Sequence, residues 1–176
     1  MKLLITISLI TLFTLFSGCS TRELVKTHND MPVKYIEAQD KNETKQIKQD
    51  LTLSLFRLSN YTDTPRAGMR AGNILGGILL TKGFDVTNHV NQIVPTKKEA
   101  REIALKDGSK YFMYGGVSEW RYKTGIDGEP AVSIVCSLYK TKNSQLVWSA
   151  TGSDSDWGNG SVGVIAQDLL EQMLEN

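Results

Sequence analysis

The sequence predicts a single α/β domain in which helices pack on a mixed β-sheet, with elements in the order β-α-β-α-β-β-β-α. Three observations predict it. Apolar residues recur at helical spacing near 65–82, 96–108 and 161–175. Between and around these stretches, apolar residues alternate with polar ones or run on without a break. Capping and turn residues separate the two patterns.

The elements follow in chain order. Leu51, Leu53 and Leu55 alternate with Thr52, Ser54 and Phe56, which predicts the first strand. Asn60 to Thr64 is a turn. Thr64-Pro65 then offers a hydroxyl cap with proline at the first helical position. The helix runs from Pro65 to about Lys82 with Ile74, Leu75, Ile78 and Leu79 on one face, and Gly83 ends it as a left-handed cap. Gly72 and Gly76-Gly77 within it allow close packing on the sheet. A short extended piece spans Phe84 to Val94.

Thr96-Lys-Lys-Glu99 is a capping box for a second helix, whose Ala100, Ile103 and Ala104 form the buried stripe and whose end is Gly108. Lys110 to Lys123 is a long strand, central because Tyr111-Phe-Met-Tyr114 is apolar on both faces. Asp127-Gly-Glu-Pro130 turns the chain. Ala131 to Lys140 and Leu146 to Thr151 alternate and are joined by Thr141-Lys-Asn-Ser-Gln145, so they form a hairpin. Ser161 to Glu175 closes the chain as a helix with Val162, Ile165, Leu169 and Met173 in register.

The N-terminus predicts the compartment. Met1-Lys2 is a short positive start, Leu3 to Phe16 is apolar apart from Thr6, Ser8, Thr11 and Thr14, and small residues precede Cys19. That run is too short to span a hydrocarbon core about 30 Å thick. Residues 1–18 are therefore expected to be a lipoprotein signal peptide, with Cys19 as the acylated first residue of the mature chain. Phe16-Ser-Gly-Cys19 resembles the bacterial lipobox, and Ser20 rather than Asp favours the outer membrane. Residues 19–48 are polar and predict a tether, leaving 49–176 as the periplasmic domain.

The chain holds 20 basic and 19 acidic residues, and loss of Lys2 makes the mature balance even. That gives no electrostatic footprint for nucleic acid. With Cys19 acylated, Cys136 has no partner for a disulfide, and its alternation with Val132, Ile134 and Leu138 marks it as a core residue.

Chemistry-bearing motifs are weak. Gly158-Asn-Gly-Ser-Val-Gly163 fits a dinucleotide fingerprint, but the following strand and acidic ribose anchor have no room in the residues that remain. Asp154-Ser-Asp156 faintly suggests a calcium loop, yet the position for its closing Glu is Ile165. His28 falls in the tether and His89 in a loop, both expected to be solvated, and no nucleophile elbow or paired-ligand helix is present. No catalytic residue, metal or cofactor is expected. Trp120 and Trp148 lie in alternating strands and should pack in the core or at a subunit contact. Trp157 stands in a polar loop, where an indole needs a protein pocket or the membrane interface.

From Thr64 onward the chain resembles the PelC family of Pel polysaccharide-export lipoproteins. The run Glu119-Trp-Arg-Tyr-Lys-Thr-Gly-Ile-Asp-Gly-Glu-Pro130 carries most of the likeness, with Tyr114 to Val132 around it, Leu146-Val-Trp-Ser-Ala-Thr-Gly152, Trp157, the closing helix and Pro65 to Val86. The resemblance implies a fold like the periplasmic domain of the curli secretion lipoprotein. It further implies a non-enzymatic ring of identical copies under the outer membrane, beside a β-barrel exporter, guiding a cationic exopolysaccharide through an acidic funnel.

On that basis Trp120, Arg121 and Tyr122 are candidate oligomer contacts, and Trp157 is a candidate membrane contact. Glu119, Asp127, Glu129, Asp154 and Asp156 are candidate polysaccharide-guiding acids. The chain departs from the family in its long lysine-rich tether and its neutral charge, so a funnel requires charge segregation. The alternative reading is a lipoprotein adaptor that activates a periplasmic cell-wall enzyme.

Overall fold

The computed structural model describes residues 21–28, 51–122, 128–156 and 160–175. Strand β1 is Thr21–His28, β2 Thr52–Phe56, β3 Ser59–Asn60, β4 Asp85–His89, β5 Tyr111–Arg121, β6 Ala131–Lys140 and β7 Leu146–Ser155. Helix α1 is Ala67–Thr81, α2 Lys97–Asp107 and α3 Val162–Leu174. The strands form one seven-stranded sheet, β1-β7-β6-β5-β2-β4, with β3 beside β5.

The sheet is mixed, as the sequence predicts. β2 runs parallel to β4 and to β5, and β6, β7 and β1 follow by antiparallel pairing. Parallel neighbours need crossover connections, and α1 and α2 supply them, joining β2 to β4 and β4 to β5. The two crossovers run in opposite directions across the sheet, so a common handedness puts their helices on opposite faces. α1 and α3 cover one face, where Leu75, Leu79, Leu169 and Met173 pack against Leu55, Met113, Ile134, Leu138 and Trp148. α2 covers part of the other with Ala100 and Ala104 against Phe56 and Phe112. β5 is central because neighbours Phe112 and Met113 point into these two different clusters.

Helix α1 lies close on the sheet. A Cβ on Gly68 would collide with the Leu58 carbonyl oxygen, and one on Gly72 would stand 3.1 Å from Val90. The expectation of close packing at the helix-one glycines therefore holds at Gly72 and at Gly76, whose Cβ would stand 3.1 Å from Leu55, while Gly77 faces open space. α2 has its predicted cap, Thr96 Oγ1 accepting from the Glu99 N–H at 3.2 Å, and ends at Gly108 with φ 73°. α3 is capped by Ser161, whose hydroxyl accepts from the Val164 N–H at 3.3 Å.

Three expectations need correction. Thr64-Pro65 does not open α1. The helix starts at Ala67 behind Arg66 in the left-handed region at φ 64°, and no side chain caps it. The Thr64 hydroxyl instead donates to the Trp120 carbonyl at 2.6 Å, which ties the turn to the end of β5. Secondly, residues 19–48 are not all tether, since Thr21–His28 pairs antiparallel with β7 along its length. Backbone pairing makes this edge strand, and Leu24 packing on the core is its one described apolar contact, so the hydrophobic pattern is faint. Thirdly, His89 is not a solvated loop residue but the last residue of β4.

Candidate functional site

The sheet has two ends of different chemistry. At the upper end a single row crosses four strands: Thr21 of β1 pairs with Ser155 of β7, Ser155 with Ala131 of β6, and Ala131 with Arg121 of β5. Everything attached to these strand ends is gathered within about 15 Å across the sheet, at roughly 4.8 Å per strand. The chain enters at Thr21 two residues after Cys19 and leaves β7 two residues before Trp157.

Arg121 organises the acidic side chains of this end. Its Nη2 lies 3.3 Å from Glu119 Oε1 and 3.9 Å from Glu129 Oε1. Glu119 and Arg121 share the strand end just past a β-bulge, where β5 shifts register between Val117 and Glu119. That bulge re-aims the strand end so that Trp120 turns inward, and its neighbours stay in solvent. Beside this group Arg70 of α1 sits 5.5 Å over the Tyr122 ring. Such half-exposed pairs contribute little stability. Their consequence is electrostatic: two carboxylates share one guanidinium, and Arg70 beside them brings a second positive charge.

The predicted site residues divide accordingly. Glu119, Glu129, Arg121 and Tyr122 come together at the upper end, and Asp156 follows the last residue of β7 there. Asp154 does not join them. It faces the helix-covered side and is only 4% exposed, so it has no surface for a passing polymer. Trp120 is 3% exposed and packs in its own core, because the bulge carries it onto the α1 face; it leaves nothing for a neighbouring copy to touch. Cys19, Asp127 and Trp157 lie outside the described residues.

Sequence reasoning missed one polar cluster. Asp107 Oδ2 accepts from Ser54 Oγ at 2.6 Å and lies 2.8 Å from His89 Nε2, while Ser54 and Ser109 hydroxyls are 2.9 Å apart. His89 also stacks on Phe56 at 5.2 Å between ring centroids. The order is wrong for nucleophilic catalysis, where the imidazole must receive the serine proton. Here the serine donates to the carboxylate, and the cluster braces the end of α2 against β2 and β4. Its members are scattered in sequence, so no local motif could reveal it.

Cys136 is fully buried, and burial pushes its thiol up to about 12, which keeps it protonated and unreactive. Among the described residues no group of three or more metal-ligating side chains converges, and no helix is long and apolar enough to cross a membrane.

Comparison with solved structures finds a PelC dodecamer from Paraburkholderia phytofirmans at 30% identity and TM-score 0.66, covering 89% of this chain and 95% of that one. A single-substitution form of the same PelC dodecamer matches at 30% identity and TM-score 0.64, covering 88% and 96%. No family model and no curated protein matches the chain.

Proposed function

Since the chain belongs to the PelC family, we propose that it is a lipoprotein held by Cys19 at the periplasmic face of the outer membrane, where a ring of identical copies assists passage of a cationic exopolysaccharide into a β-barrel exporter. The observation that carries this reading is the row from Thr21 to Arg121. It brings the strand next to Cys19, the strand leading to Trp157 and the Glu119–Arg121–Glu129 group to one end of the sheet. An acyl chain on Cys19 would hold that end, rather than a distant tether tip, against the bilayer. Multiple acyl chains make such attachment stable where one does not.

Trp157 meets the headgroup level, where an indole is stable and adjacent carboxylates stay hydrated. Glu119, Glu129, Asp127 and Asp156 present negative charge to the polymer's ammonium groups as it nears the exporter. Arg121 limits that charge, because it occupies the same carboxylates that an ammonium would use. Arg121 and Tyr122 remain as candidate contacts between copies. The relatives are dodecamers, and closing such an assembly into a ring requires heterologous contacts whose rotation returns on itself.

The test is made in cells that secrete the polymer. Cys19→Ser is expected to abolish palmitate incorporation and to leave either unprocessed precursor or a chain released from the membrane. Trp157→Ala is expected to leave the thermal midpoint unchanged while lowering secreted polymer severalfold. A Trp157→Ala protein that loses several kcal/mol of stability would place the indole in the core and overturn the membrane assignment. Normal membrane retention of a mature-length Cys19→Ser chain would overturn the anchor.

A further inference from the structure

The face of the sheet that α1 and α3 leave uncovered carries an aromatic ring in solvent. Tyr61 follows β3 and is 73% exposed. Its position is nevertheless fixed. The Tyr61 N–H donates to the Val117 carbonyl at 2.9 Å. The turn after it is tied by Asn60, whose Nδ2 donates to the Thr64 carbonyl at 2.9 Å and whose Oδ1 accepts from the Thr62 N–H at 3.1 Å. The ring rests on Gly116 of β5, where a Cβ would come within 2.7 Å of Cε2 and 3.1 Å of Cδ2. Glycine is therefore required there for the ring to lie against the strand.

The pairing register supplies the ring's neighbours. Gly116 stands opposite Val135, Glu119 opposite Ser133, and Ser133 opposite Ser153. Directly opposed residues share a face, so all of these side chains stand on Tyr61's side of the sheet. The bulge adds Ser118 to them. Ser118 and Ser153 each donate to Ser133 Oγ at 3.0 Å, and a hydroxyl has one proton of its own to give, so that of Ser133 is spent on neither. Glu119 is half-exposed and meets Arg121 through Oε1, at 3.3 Å. From Gly116 to Glu119 is about 10 Å at 3.3 Å per residue, so ring, hydroxyls and carboxylate lie within reach of one short ligand.

From this juxtaposition we infer that the open face holds an amino-sugar subsite: a pyranose lays its C–H face on Tyr61, its hydroxyls meet Ser133 and Ser118, and its ammonium meets Glu119. The identity of that glycan as the exported polymer rests on the export reading, which gave the polymer no place on the face of the sheet. The electron-rich face of an aromatic ring attracts the electropositive C–H groups of a sugar. A ring already fixed by its turn loses little freedom on binding. A second copy of the chain is a poor occupant. A stable protein contact buries about 800 Å² per partner around an apolar centre depleted in serine, whereas the exposed apolar groups around Ser133 are Tyr61 and Val135. A pyranose, apolar on its faces and hydroxylated at its rim, matches that mixture. Glu119 disfavours an anionic glycan and separates an amino sugar from a neutral one.

The experiment is calorimetric titration of the full mature-length chain in detergent, at mildly acidic pH, with a β-1,4-linked glucosamine tetramer and with the glucose tetramer. Tyr61→Ala is expected to weaken both about fivefold, for the lost stacking, with the thermal midpoint unchanged. Tyr61→Phe, which keeps the ring, should lose less. In Glu119→Gln the preference for the glucosamine tetramer over the glucose tetramer should fall about threefold, the scale of a half-exposed charge pair. Glu102→Gln, exposed on α2, should leave both affinities unchanged.

Absence of binding, a Tyr61→Ala chain that keeps full affinity, or equal weakening in Glu102→Gln would overturn the proposal. So would a Tyr61→Ala chain of lower molar mass, which would put the ring at a contact between copies. Deleting the chain from cells that secrete the polymer separates the two readings. Tyr61-dependent binding with secretion unchanged by the deletion sinks the export reading and keeps the glycan site. Secretion lost on deletion, with no tetramer bound, does the reverse.

Discussion

The two faces of the sheet use the same strands for different purposes. On β6, Val132, Ile134, Cys136 and Leu138 point under α1 and α3 and are buried, while Ser133, Val135, Ser137 and Tyr139 point the other way. α2 packs mainly on β2 and β5 on that second side and touches β6 at Tyr139, where Lys97 lies 4.7 Å over the ring. Over β6 and β7 the second face is a field of hydroxyls: Ser133 Oγ lies 3.0 Å from both Ser118 Oγ and Ser153 Oγ, and Ser137 Oγ lies 2.9 Å from Ser149 Oγ. Val135 stands among them 38% exposed. A period of two lets one strand build a dry core and a wet surface at once. The covered face holds the molecule together, and the open face keeps its own hydrogen bonds whether or not anything lies on it.

The largest expected effect breaks the covered face. Leu138 is fully buried in the main cluster. Leu138→Ala should cost about 2–5 kcal/mol, the lost transfer energy plus the cavity that a close-packed core fails to close. Urea unfolding checks it. A loss below about 1 kcal/mol would mean that α3 collapses onto the gap and that the covered face is softer than its burial implies.

This division was partly legible in the sequence. Alternation from Ala131 to Lys140 gave both faces of β6, the capping residue Thr96 gave the start of α2, and the apolar register from Val162 gave α3, because these signals are local. β1 is hidden in the sequence because an edge strand is specified mainly by backbone pairing to a partner more than a hundred residues away. Composition puts Asp154 in water because acids usually are, yet the strand alternation that buries Trp148 and Ala150 also points Asp154 inward. Trp120 turns inward through a bulge that no periodicity announces. The Glu119–Arg121–Glu129 group was half legible: its residues stand out in the sequence, but nothing there puts the guanidinium between the acids.

A smaller effect sharpens the description of the covered face as dry. Burial raises the Cys136 thiol from 9.0 to about 12. The folded state therefore holds its proton where the unfolded chain has lost it, and stability falls with rising pH. Its contribution is fully present below pH 9 and is lost as pH climbs toward 12. Between pH 8 and pH 10 the unfolded thiol ionises and the folded one does not. Relative to Cys136→Ala, the unsubstituted chain should lose about 1.4 kcal/mol over that interval, the free energy of a tenfold change in protonation. Parallel pH profiles for the two proteins would mean that water reaches the thiol.

The smallest effect is expected on the open face, and it decides whether that face is open in the assembled protein. Ser133 sits between Ser118 and Ser153, so Ser133→Ala removes two side-chain hydrogen bonds in one step. Each neutral bond contributes about 0.5–1.5 kcal/mol net when its partners are left dry. Ser118 is exposed and Ser153 partly so, and water replaces the lost partner on both. The cost in a dilute, monomeric chain should then stay below about 1 kcal/mol. The same substitution measured in the detergent-solubilised oligomer is the discriminating arm. If copies meet across this face, the hydroxyls of Ser118 and Ser153 are stranded without water, and the loss should rise above about 2 kcal/mol and depend on protein concentration. An equal, small loss in both states keeps the hydroxyl field in solvent and assigns the contacts between copies to the sheet edges and ends.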